Sequence, residues 1–215
     1  MERYTFAMKL RKGNRGIYCR KLGEIWSDLV SFLERNNIKN FSVWSVEDLI
    51  FGYCEKEDAH CLSKEEQTIR KKLICAMEDT FEWISEPDQN MKLMYHDYGI
   101  VRESKELIRH RVFMIKLHDG CEQEYKHRHD QLIEKRGTKV TLGPDSNFSI
   151  WSAKGYVFGY DEIDVTMEHD WTDEELAQTI AWEKKQLEIM DWITNDVDWM
   201  TGQAHPSVMR IAWHN

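Results

Sequence analysis

Proline is scarce in this chain, at three of 215 residues, and no tract is of low complexity. Both absences argue against a disordered protein, because disordered segments are rich in proline and poor in apolar residues. No apolar run approaches the roughly 20 residues that cross a bilayer as a helix. No basic block offsets the net charge of −9, which sets nucleic acid aside as a partner. The five cysteines (Cys19, Cys54, Cys61, Cys75 and Cys121) are odd in number and never spaced Cys-x-x-Cys. A disulfide framework or structural zinc site has little support on that count, and reduced, mostly buried thiols are expected. The opening "MERYTFAMKL" has no apolar signal core, so a cytoplasmic protein is expected.

What is present is a repeat. "FSVWS" at residues 41–45 returns as "FSIWS" at 148–152, an offset of 107. At the same offset "FAMKL" (6–10) falls on "FMIKL" (113–117), Tyr18 on Tyr125, "FGY" (51–53) on "FGY" (158–160), and Glu55 on Glu162. The offset then drifts: "EWI" at 82–84 meets "DWI" at 191–193, and "MKLMYH" at 91–96 meets "MRIAWH" at 209–214. Drift of this kind places insertions in loops, the longest near residues 196–206. The chain is two copies of one unit, expected over residues 1–104 and 105–215.

Each copy opens on a strand of alternating apolar residues, passes a glycine-containing turn, and continues as a helix. In copy one the helical stripe is Ile17, Ile25, Leu29, Phe32 and Leu33. Two adjacent strands follow as a hairpin. A second helix begins at Ser63 or Thr172 with an acidic residue three positions on, a capping-box pattern, and is expected to run through Trp83 or Trp192. A last strand closes each unit. The order β-α-β-β-α-β gives an α+β fold of two tandem ferredoxin-like units. Each antiparallel sheet carries its helices on one face. Burying the bare faces predicts that the units pack sheet to sheet, as an intramolecular pseudo-dimer resembling a dimeric α/β barrel.

Chemistry is sought where the copies differ. The first helices read "YCRKLGEIW" and "YKHRHDQLI", so copy two has His129 where copy one has Leu22. Tyr125 and His129, four apart, share a helix face, and an imidazole beside a phenol makes an acid/base centre. The same pair is also an ordinary helix contact. His127 and His129 point to different sides of a helix, so no metal is expected between them. Lys9 and Lys116, in polar slots of the first strands, either line the cleft or are simply solvated. Trp83 reads as core, and Trp192 as core or as a platform under a sugar.

These features together resemble the L-rhamnose mutarotase family, small α/β proteins that pair as dimers of ferredoxin-like units. The resemblance rests on the F-x-M/I-K-L strand, the Tyr125-x-x-x-His129 helix, "NFSIW" at 147–151, the FGY-x-E strand and the late tryptophan segment. It implies interconversion of the α and β anomers of a deoxy or related monosaccharide, with His129 as proton donor and acceptor and Tyr125 binding the sugar. Phe148 takes the place of a sugar-contacting tyrosine. Asp191 and Trp192 stand near a pair of tryptophans. No metal or organic cofactor is implied, and Leu22 marks copy one as a structural partner. Further homodimerisation is left open. Two other readings share the linear pattern: a non-catalytic sugar-binding or structural protein, and a dimeric α/β-barrel enzyme of another class, such as a cofactor-free or haem-dependent oxygenase.

Overall fold

The computed structural model describes all residues except 58–61, 88, 104, 106 and 195–204. Most of the insertion expected near 196–206, together with Cys61 and the boundary residue Ser104, lies outside the described residues.

The first repeat gives β1 (Glu2–Leu10), α1 (Arg15–Arg35), β2 (Ile38–Val46), β3 (Leu49–Lys56), α2 (Lys64–Cys75) and β4 (Phe81–Trp83), then β5 (Lys92–Asp97). The second gives β6 (Ile108–Leu117), α3 (Glu122–Arg136), β7 (Asp145–Ala153), β8 (Tyr156–Asp164), α4 (Asp173–Gln186), β9 (Met190–Trp192) and β10 (Met209–His214). Both sheets are antiparallel, in the orders β10-β2-β3-β1-β4 and β5-β7-β8-β6-β9. Four strands of each follow the ferredoxin-like order, so the mixed α+β fold expected from the repeats is present in both units.

Two expectations are corrected. Trp83 and Trp192 are not helical. Both helices stop earlier, and "FEW" and "MDW" form the short strands β4 and β9. Met190, Asp191 and Trp192 run buried, exposed, buried, a period of two that marks a strand. No glycine or proline separates this segment from the helical stripe before it, which is why the helix looked longer. The final strands also do not close their own units. Strand β5 pairs with β7 and β10 pairs with β2, so each repeat supplies the outer strand of the other sheet. The compact units are accordingly Met1–Met91 with Val208–Asn215, and Lys92–Ser207, rather than 1–104 and 105–215.

In the first unit Phe6, Met8 and Leu10 of β1 face α1 and α2, packing with Tyr18, Leu22, Phe32 and Leu33. Ile17, assigned to the same stripe from its spacing, is exposed. In the second unit Phe113, Ile115 and Leu117 play the part of the β1 residues, with Tyr125 from α3. Both capping boxes form, Ser63 with Glu66 and Thr172 with Glu175. Cys19 and Cys75 are exposed and Cys54 and Cys121 half-buried, so the expectation of mostly buried thiols fails.

The repeated motifs now have causes. Phe113 lies opposite Gly159 across the β6–β8 pair, and a Cβ on Gly159 would sit 2.1 Å from the Phe113 ring. Phe6 and Gly52 stand in the same relation at 1.9 Å. The glycine of "FGY" is thus the floor on which the strand-one phenylalanine lies. Asn147 and Asn40 adopt φ of 53° and 49° at a register shift between hairpin strands, a left-handed conformation that asparagine tolerates. Each asparagine amide donates to the glutamate of its own FGY-x-E strand at 3.2 Å, and that strand's tyrosine hydroxyl donates to the same oxygen. A buried Asn–Glu–Tyr cluster is therefore written into both copies. Among the described residues no helix is long and apolar enough to cross a membrane.

Candidate active site

Helix α3 places Tyr125 and His129 one turn apart on the face turned to the sheet. Both are buried, and His129 is only 4% exposed, so it is not the part-hydrated cleft residue that a surface pair would be. Its Nδ1 lies 2.9 Å from the Tyr125 carbonyl oxygen. A carbonyl oxygen only accepts, so Nδ1 carries the hydrogen and Nε2 of the neutral ring is left as an acceptor. Burial drives the imidazole pKa down to about 4, against the opposing pull of the Tyr125 carbonyl and Asp130. Burial also pushes the Tyr125 phenol well above its usual range. At neutral pH the pair is therefore a neutral imidazole and a neutral phenol.

Aromatic rings surround the imidazole. The Tyr125 ring is 4.3 Å away between centroids, Trp182 of α4 5.2 Å and Tyr95 of β5 5.4 Å. Phe148 contacts Tyr95 and Phe113, and Phe113 meets Trp192 edge-on. These groups line a half-open cavity of about 680 Å³ within the second unit, between its sheet and the helices α3 and α4. That volume lies within the range of roughly 300–1,000 Å³ for small-molecule pockets.

Polar groups converge on the same space from α4. The Trp192 indole donates to Oε1 of Glu183, and Gln186 follows one turn later. Both Glu183 and Gln186 are buried. Toward Arg111 on the cavity wall, its guanidinium pairs with Asp161 at 2.7 Å and reaches Asp145 at 3.7 Å. Burial lifts the Asp161 carboxyl to about 8, Arg111 opposing and Asp145 adding to the rise.

The structure thus brings four of the residues singled out in the sequence, Tyr125, His129, Phe148 and Trp192, into one cavity. It separates Lys116 and Asp191 from them. These two are cross-strand partners on β6 and β9, and each alternates with inward residues (Ile115 and Leu117; Met190 and Trp192), so both point to the opposite face. Lys116 Nζ donates to the Lys154 carbonyl at 3.1 Å and sits over the Tyr156 ring. Asp191 meets His118 at 3.1 Å with its side chain largely exposed. His127 is exposed and meets Gln131. Sequence reasoning missed Tyr95, Trp182, Glu183 and Gln186. Comparing the α4 residues with copy one at the local offset would have found three of them.

That comparison separates the two units. The Gln186 carbonyl accepts from Ile189, as the Met77 carbonyl does from Thr80, both at 2.9 Å, which fixes the offset of 109 in space. Where the second unit has His129, Asp161, Glu183 and Gln186, the first has Leu22, Cys54, Ile74 and Met77, all packed into one apolar cluster. The polar cavity of the second unit corresponds to filled core in the first.

The family model for L-rhamnose mutarotase matches residues 3–100. An L-rhamnose mutarotase from Mesorhizobium japonicum is 32% identical over 65 residues, covering 29% of this chain and 62% of that protein. One from Brucella anthropi is 33% identical over 61 residues, covering 27% of this chain and 58% of that protein. The chain thus spans about three fifths of the length of these relatives. A solved structure described as a monooxygenase from Fusobacterium nucleatum aligns with 99% of this chain and 93% of its own, at 6% identity and a TM-score of 0.45, too distant to bear on function. The stretch that the family model matches, residues 3–100, is the repeat whose equivalent positions are filled by apolar side chains.

Proposed function

We propose that the second unit is a sugar mutarotase site, interconverting the α and β anomers of a neutral monosaccharide such as L-rhamnose. The observation that carries the reading is His129, a buried imidazole whose Nε2 is left as a proton acceptor in an aromatic-walled cavity of about 680 Å³. Aromatic rings suit the C–H faces of a pyranose, and the family match of the first repeat supplies the substrate class.

The chemistry follows from the ring's protonation state. Nε2 of His129 takes the proton of the anomeric hydroxyl as the C1–O5 bond breaks. The resulting imidazolium, with its pKa near 4, is a strong enough acid to pass that proton to O5. The open aldehyde turns about C1–C2, and the same steps in reverse close the ring on its other face. One proton is borrowed and returned, so no net charge or redox change results. General acid/base help of this kind is worth roughly 10²–10⁴-fold. The neutral Tyr125 phenol donates a hydrogen bond to the sugar. Glu183, held by the Trp192 indole, accepts from a sugar hydroxyl.

Exchange NMR on the anomeric protons of L-rhamnose tests the reading. Wild-type protein is expected to accelerate exchange and His129→Ala to abolish the acceleration. Acceleration that survives His129→Ala unchanged contradicts it. Binding of sugar without acceleration would instead favour a non-catalytic sugar-binding protein, a reading supported by the absence of a hydroxyl at Phe148.

A further inference from the structure

We propose that Gln186 is a sugar-binding residue, its side-chain amide donating to one hydroxyl of the bound pyranose and accepting from the neighbouring one. The inference rests on the reading of the cavity as a sugar site, and adds the group that recognises the ring hydroxyls. Gln186 is 3% exposed, yet neither its Oε1 nor its Nε2 has a hydrogen-bond partner among the described residues. Buried amides are normally satisfied, and one that is not calls for a partner from outside the chain. This one lines the same cavity as His129 and Tyr125.

Its position is fixed from both sides. Gln186 ends α4, and its carbonyl accepts from Ile189. Arg128, the residue before His129, donates to the Lys185 carbonyl and pairs with Glu188 at 3.2 Å. The neighbours of Gln186 are thereby tied to the turn of α3 that carries His129. Three residues earlier on the same face, Glu183 is held by Trp192. An amide presents one donor and one acceptor side by side, the pairing that two adjacent hydroxyls offer. A free carboxylate would only accept. In the first unit the equivalent residue is Met77, in apolar core, so the amide belongs to the cavity rather than to the fold the repeats share.

The test measures L-rhamnose affinity by saturation-transfer-difference NMR and anomer exchange by exchange NMR, for wild type, Gln186→Met and Gln186→Glu. Gln186→Met, which installs the first repeat's residue, is expected to melt no lower than wild type. It should weaken sugar affinity roughly tenfold, the worth of about one good hydrogen bond, and raise KM with kcat less affected. Gln186→Glu, which keeps the length but loses the donor, should fall between. It also reads the affinity should Gln186→Met not fold. Equal affinity and KM in wild type and both variants would overturn the role of Gln186 while leaving mutarotation standing. Wild type that binds sugar without accelerating exchange, and loses binding on Gln186→Met, would sustain Gln186 and overturn mutarotation. Wild type that binds no L-rhamnose would overturn both.

Discussion

Nδ1 of His129 lies 2.9 Å from the carbonyl oxygen of Tyr125, one turn back along α3, and this contact leaves Nε2 as the nitrogen able to take a proton. With its pKa held down to about 4, the imidazole is neutral through the whole range from pH 5 to 8. Catalysed anomer exchange should therefore be flat over that range and fall only as pH approaches 4. A midpoint near 6.5, the ordinary histidine value, would mean that some other histidine acts.

The same depressed pKa makes stability pH-dependent. The unfolded chain binds a proton at this histidine below about 6.5, whereas the folded chain does so only near 4. The folded state is thus favoured in full above pH 6.5 and loses ground as pH falls toward 4, by about 3 kcal/mol in all. His129→Leu, the residue of the first repeat, removes that slope. Urea melts of the two proteins between pH 4 and 7 should diverge at the acid end, the variant being the more stable there. Parallel curves would contradict the burial of His129.

Asp161 gives the opposite sign. Its folded pKa, raised to about 8, means that the folded state holds the proton which the unfolded state releases near 4. Its contribution is present below pH 4 and is lost as pH rises toward 8. Asp161→Asn should therefore gain stability relative to wild type between pH 5 and 8. A loss that grows with pH would show that Arg111 keeps the carboxylate ionised.

Gly159→Ala should destabilise the protein by at least about 1–3 kcal/mol through overpacking, because its Cβ would fall 2.1 Å from the Phe113 ring. The displaced ring also borders Trp192 and Phe148, so sugar affinity should fall as well. A thermal melt and a sugar titration read the two effects separately.

Tyr95 belongs by sequence to the first repeat, yet its ring stands 5.4 Å from His129. Tyr95→Ala should raise KM for sugar roughly fivefold, as loss of an aromatic contact of about 1 kcal/mol implies. Trp213, its sequence counterpart on β10, pairs into the other sheet, and Trp213→Ala should leave KM unchanged. Equal effects from both substitutions would contradict a site confined to the second unit.

The first five elements of each unit, βαββα, with their hairpins and the starts of α2 and α4, were legible in the sequence because each rests on local pattern. Alternation and capping boxes lie within one copy and appear twice. The destination of β5 and β10 was not legible, since a strand's pattern shows that it pairs but not which edge it pairs with. Trp192 was legible as a ring but not as a strand residue, because "MDW" offers only three positions on which to judge a period. His129 stood out by contrast with Leu22. Glu183 and Gln186 stand against Ile74 and Met77 only at the drifted offset of 109, not at the 107 of the strands before α4. Asp191 and Lys116 were misplaced for one reason: an alternating strand puts neighbours on opposite faces, and their neighbours were the ones facing the cavity.

The exchange of β5 and β10 also orders events in time. Unit two, Lys92–Ser207, is one continuous stretch, whereas the sheet of unit one waits for a strand that follows all of unit two. During synthesis the ribosome therefore releases everything the second unit needs before β2 can acquire its outer neighbour. The earlier-made half of the chain spends that interval with an open strand edge, the kind of surface on which nascent chains associate wrongly.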